Sequence, residues 1–108
     1  VKKDIAEKWV KALRSGEYEQ GRGQLRINNK HCCLGVLCDI SKLSIWDQDS
    51  YIKGSSAITL PTEVKMWADM KSGGGHLGED KLSLWQLNDA GKTFSEIANI
   101  IEAEWETL

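Results

Sequence analysis

Apolar and polar residues recur along this chain with two periods, and the switches between them divide it into elements. Ile5, Ala6, Trp9, Val10 and Leu13 step at three and four residues, which predicts a helix over 4–15 with one apolar face. Asp4 stands as its N-cap with Glu7 three residues on, the capping-box spacing, and Gly16 suits the position just past its end. Lys3, Lys8, Lys11 and Arg14 fall on the opposite face, which reads as solvated. Leu25 and Ile27 then alternate with Gln24 and Arg26, the period of a half-buried strand. Asn28-Asn29-Lys30 supplies turn chemistry, because asparagine tolerates positive φ. The prediction is a hairpin of 23–28 with 30–33. Gly21 and Gly23, just before it, permit a tight path or a close approach.

Cys33, Val36, Leu37, Ile40 and Leu43 return to the helical period, so 34–43 reads as a buried central helix. Gly35 costs that helix about 1 kcal/mol relative to alanine, and close packing against the hairpin or another helix is the reason it suggests. Tyr51-Ile52-Lys53 and Ala57-Ile58-Thr59 flank Gly54-Ser55-Ser56 as a second hairpin. Pro61 opens a helix whose inner face holds Val64, Trp67 and Ala68 and which ends near Met70. Four glycines between Ser72 and Asp80 exclude a regular element there and suit a mobile connection or a lid. A short helix over 82–89 ends before Gly91. Thr93 and Glu96 form a capping box for a last helix with Phe94, Ile97, Ala98, Ile101 and Trp105 as its stripe. The order is α-ββ-α-(ββ)-α-α-α. This is an α+β fold, a small antiparallel sheet of one or two hairpins packed against four or five helices.

Length and charge narrow the function classes. A chain of 108 residues is one domain, 1–108, with room for one core and one modest pocket. No stretch approaches the roughly 20 apolar residues of a membrane helix, and the N-terminus is amphipathic rather than signal-like, which points to the cytoplasm. The net charge of −2 conceals 10 Lys+Arg against 7 Asp+Glu in residues 1–54 and 4 against 9 in 55–108. That balance argues against a general nucleic-acid binder. Within the basic half, 20–31 holds Arg22, Arg26 and Lys30 with no acid, either an exposed hairpin face or a patch for a small anion. Cys32, Cys33 and Cys38 are three and lie in apolar surroundings. They fit neither a disulfide framework nor a metal-ligand spacing, so they read as buried free thiols in a reducing compartment.

No motif for a hydrolase or deaminase is present, and the histidines are His31 and His76 alone. A Cys/His dyad would need contact that spacing cannot show. Residues 82–102 have the outline of a helix-turn-helix, but the second helix is acidic, against DNA reading. Asn88-Asp89-Gly91-Lys92 is either a polar turn or a site where Asn88 and Asp89 read a base or ribose and Lys92 meets a phosphate. Trp9, Trp67 and Trp105 lie on apolar helical faces. Trp46 and Trp85 are less determined, and either can stack on a base or pack in the core.

SGEYEQGRGQLR, CCLGVLCD, LPTEV with its following MW, and LNDAGKTFSEIANIIE, taken together, resemble a family of small proteins common in tailed phages and prophages. The resemblance covers about residues 9–101 and rests most on Cys33 to Leu37 and on Asn88, Asp89, Gly91, Lys92 and Phe94. It implies an accessory protein of a host-cell cytoplasm, a class that often counters host defence. The expected function is a non-enzymatic protein that sequesters a small anionic nucleotide, a cyclic ADP-ribose isomer or a cyclic dinucleotide. Arg22, Arg26 and Lys92 would meet phosphates, and Gln20, Asn88 and Asp89 would bond base or ribose. Trp46 or Trp85 would stack, and the glycine segment would close over the ligand. No catalytic residue, metal or cofactor is expected, and a site at the interface of a homo-oligomer suits so small a domain. Two alternatives stand beside it. One is an inhibitor of a host defence protein acting through Glu102, Glu104 and Glu106; the other is an enzyme that degrades the signal with His31 or Cys32.

Overall fold

A computed structural model describes residues 1–43, 46–47, 51–52, 58–78 and 81–108, with 46–47 and 51–52 described as backbone only. Five helices and two short ribbons follow the expected order: α1 (Lys3–Arg14), β1 (Arg26–Ile27), β2 (Lys30–His31), α2 (Cys33–Ser41), β3 (Trp46–Asp47), β4 (Tyr51–Ile52), α3 (Thr62–Ala68), α4 (Leu84–Asp89) and α5 (Phe94–Glu104). Each ribbon is a separate antiparallel pair, β1 with β2 and β3 with β4. The fold is α+β with a minimal sheet.

The helices form where the apolar period places them, with shifted ends. α1 begins at Lys3 with Lys2 in the cap position and no side-chain cap, so Asp4 lies inside the first turn, where it complements the helix dipole. Gly16 takes φ 78°, the left-handed geometry of a helix stop. α2 ends at Ser41 because Lys42 turns left-handed, and this leaves Leu43, expected on the buried stripe, 52% exposed. Pro61 precedes α3 as its cap rather than opening it. α5 starts with the expected reciprocal cap: Glu96 N–H donates to Thr93 Oγ1 at 3.2 Å, and Thr93 N–H donates to Glu96 Oε1 at 3.1 Å.

The first hairpin turns through Asn28 and Asn29, both at positive φ (51° and 64°), a two-residue loop whose twist suits antiparallel strands. The second ribbon differs from expectation. Tyr51–Ile52 pairs backwards with Trp46–Asp47, and Ile58 and Thr59 are not in a strand; residues 53–57 of the expected hairpin lie outside those described.

α1 packs along α5, and α2 lies against α1, α3 and α4. Trp9 is fully buried at the α1–α2 contact, and its indole N–H donates to Cys33 O at 2.9 Å. Deleting such a side chain to alanine costs about 3–5 kcal/mol. The reason for glycine at position 35 is close packing against the first hairpin. A Cβ there would sit 1.9 Å from the carbonyl oxygen of Leu25, which accepts a hydrogen bond from Cys32 N–H at 3.1 Å. Among the described residues no helix is long and apolar enough to cross a membrane.

Candidate functional site

Gln20, Asn88 and Asp89 converge with the backbone carbonyl of Lys92 in a hydrogen-bonded knot around the buried Asn88. The four-residue spacing along α4 and its turn sets Asn88 inward and fully buried. Its Oδ1 accepts from Gln20 Nε2 at 2.8 Å and from Cys33 N–H at 3.2 Å. Its Nδ2 donates to Gly21 O at 2.8 Å and to Asp89 Oδ1 at 3.2 Å. All four bonding positions of the amide are thereby used. Gln20 also donates to Lys92 O at 2.7 Å, and Gly23 N–H donates to Asp89 Oδ1 at 3.0 Å. The knot straps the 20–23 loop to α4 and to the start of α2.

The other expected contacts are dispersed around it. Arg22 is exposed on the strapped loop, and Lys92 is exposed and 3.6 Å from Glu96. Arg26 is half-buried across the ribbon from His31. Trp85 is half-buried and lies over Gly74, where a Cβ would come within 2.8 Å of its ring. The side chain of Trp46 lies outside the described residues. The glycine segment is tied to α4 by Leu84 N–H donating to Gly75 O at 2.9 Å, and it closes on itself through His76 N–H donating to Ser72 Oγ at 2.8 Å. Glu79 and Asp80 of that segment lie outside the described residues.

The thiols are buried and free, and Cys32 caps α2, its sulfur accepting from Gly35 N–H at 3.4 Å. Burial pushes the Cys32 thiol up to about 11 and those of Cys33 and Cys38 well above the ordinary thiol value. Protonated, enclosed thiols are poor nucleophiles at neutral pH. His31 is half-buried, with Tyr18 edge-on to its ring at a centroid distance of 5.0 Å. The Tyr18 hydroxyl donates to Asp39 Oδ2 at 2.6 Å. Desolvation, with the nearby Arg26 charge, holds the His31 imidazole below its ordinary value against the pull of Asp39.

A concavity lies elsewhere among the described residues. A groove of about 710 Å³ runs along α1, lined by Lys3, Ala6, Glu7, Val10, Lys11 and Arg14, and is completed from the far end of the chain by Glu102 and Trp105. These α1 positions recur at three and four residues and share one side of the helix, over about 17 Å at 1.5 Å per residue. Ala6 and Val10 are buried and make its floor, and half-buried Trp105 makes an aromatic wall. Lys3, Lys11 and Arg14 stand against Glu7 and Glu102 at the rim. One end is spanned by Arg14, whose Nη2 reaches Glu102 Oε1 at 2.5 Å and Asn99 Oδ1 at 2.6 Å. The apolar period assigns Ala6, Val10 and Trp105 to apolar faces and the lysines to a solvated one. The signal for the groove is the seam where those faces meet.

A family model matches residues 1–105, and its description is a domain of unknown function, DUF8296. The chain belongs to this family. Neither the curated proteins nor the solved structures contain a match. The matched span of this DUF8296 domain takes in both the polar knot and the groove.

Proposed function

We propose that this DUF8296 domain is a non-catalytic binding protein that holds a small anionic nucleotide in the α1–α5 groove. The observation that carries the reading is the groove itself. Its volume of about 710 Å³ falls in the range of small-molecule sites, and its lining combines an apolar floor, an aromatic wall and a few charged groups. A base laid against Trp105 would bury its flat faces, and phosphates would lie at the rim beside Lys3, Lys11 and Arg14. In this reading Gln20, Asn88 and Asp89 are the frame of the fold, and Arg22, Arg26 and Lys92 lie outside the ligand contacts. Protonated core thiols support binding over covalent catalysis. The resemblance to tailed-phage accessory proteins selects the ligands to try first, cyclic ADP-ribose isomers and cyclic dinucleotides withheld from a host antiviral effector.

The test is calorimetric titration of the purified protein with cyclic ADP-ribose, cyclic diadenylate, cyclic diguanylate and ADP. The expected result is sub-micromolar binding of at least one, abolished by Val10→Trp, which fills the groove, and retained by Arg22→Ala with Lys92→Ala. Flat titrations across the panel refute the reading. Loss of binding in the Arg22/Lys92 variant but not in Val10→Trp moves the ligand to the knot's outer face. Ligand recovered chemically altered would show an enzyme instead.

A further inference from the structure

Arg14 closes one end of the groove in an unusual way. Both of its hydrogen bonds leave from a single nitrogen, Nη2, to Glu102 and Asn99 on α5. A guanidinium carries five N–H donors; with both Nη2 hydrogens engaged, the two on Nη1 and the one on Nε have no bond to a described residue. The pair is also accessible, with Arg14 39% and Glu102 56% exposed along their side chains. Glu102 meanwhile places a carboxylate on the same groove wall where an incoming anion must lie.

Resting on the reading that a nucleotide occupies this groove, we propose that Arg14 is its anion-selecting residue and that Glu102 is a built-in competitor that sets its affinity. Glu102 holds the guanidinium across the groove end, which keeps the fork oriented before the ligand arrives. The same carboxylate repels the phosphate that the remaining Nη1 and Nε donors receive. Lys3, Lys11 and Glu7 face the groove as well, but they have no partner on α5 among the ion pairs described. Among the described groove residues Arg14 alone joins both walls by an ion pair, so its loss removes both the guanidinium charge and the closure. Glu102→Gln keeps the hydrogen-bond acceptor for Arg14 and removes only the negative charge.

The experiment compares cyclic diadenylate with adenosine, a charged probe with its uncharged base and sugar. It uses the wild type, Glu102→Gln and Arg14→Gln, each checked by thermal melting. Exposed charge pairs couple at a strength equivalent to about two- to five-fold in binding. Glu102→Gln should therefore tighten cyclic diadenylate by about two- to five-fold and leave adenosine unchanged. Arg14→Gln should weaken cyclic diadenylate by about ten-fold or more, the loss of a charged hydrogen bond, again with adenosine unchanged. Equal effects on both probes, or no gain in Glu102→Gln, overturn the assignment while wild-type binding leaves the groove reading standing. Wild-type protein that binds neither probe overturns this assignment, and flat titrations across the whole nucleotide panel overturn the groove reading with it.

Discussion

Replacing Gly35 by alanine sets two physical effects against each other with opposite signs. Intrinsic helix propensity favours alanine by about 1 kcal/mol inside a helix such as α2. The contact geometry opposes it. The added Cβ would lie 1.9 Å from Leu25 O and 2.8 Å from Leu25 C, both backbone atoms that no rotamer change can clear. A carbon–oxygen contact settles at about 3.3 Å or more, so α2 and the strand must separate by about 1.4 Å. That separation strains a packed contact at about 1–3 kcal/mol. It also stretches the Cys32 N–H to Leu25 O bond from 3.1 Å, leaving a buried donor poorly paired at a further 1–3 kcal/mol or so. The net expectation is destabilisation by about 3 kcal/mol after the propensity gain. For a domain of this size that lowers the melting temperature by more than about 10 °C. Urea unfolding followed by tryptophan fluorescence, with Trp9 at the centre of the core, measures it directly. A Gly35→Ala protein as stable as the wild type, or more stable, would show that the helix and hairpin backbones do not meet as described.

Asn88→Ala should cost about 3 kcal/mol, because the Cys33 N–H and Gly21 O lose a partner where water cannot replace it; an unchanged urea midpoint would remove the knot from the account. The three thiols should react with a disulfide reagent near pH 8 no faster than the protein opens, since Cys32 is raised to about 11 and all three are buried. Rapid labelling of any one of them in native protein would contradict this. His31 has a folded value below 6.5, so from about 6.5 downward the unfolded chain takes up a proton that the folded one does not. Stability should therefore fall on acidification through that window, ahead of the loss from Glu96 and Glu102, whose lowered values act below 4.5. His31→Gln should flatten the difference between urea midpoints at about pH 7.5 and pH 5.5, and an undiminished difference would assign the dependence elsewhere.

Features settled within a few residues are legible in the sequence. Thr93 and Glu96 are three apart, and the cap they form depends on nothing distant. Asn28 and Asn29 carry their own tolerance of positive φ, so the turn of the first hairpin is visible. Gly35 stands out because a glycine in a buried helix needs a steric reason, although the sequence names no contact atom. Interactions spanning the chain are not legible in the same way. Asn88 reaches partners 55 to 68 residues away, and an asparagine next to an aspartate reads equally well as turn, knot or ligand contact. The two walls of the groove are 88 residues apart at the Arg14–Glu102 pair. The basic side of α1 alone therefore reads as a solvated face. The second ribbon escapes for a different reason. Strands of two residues carry no alternation, so nothing local tells Tyr51–Ile52 to pair with Trp46–Asp47 rather than forward.

Amide and indole NMR shifts would locate a small anionic nucleotide held between α1 and α5. Titrating labelled protein with cyclic diadenylate and cyclic ADP-ribose should move the Trp105 indole signal and the amides of Ala6, Val10, Lys11 and Arg14 along one saturable curve. Gly21, Gly23 and Lys92, at the knot, should stay in place. Saturable shifts confined to the knot, or none at the groove with either ligand, would show that the nucleotide is not held between α1 and α5.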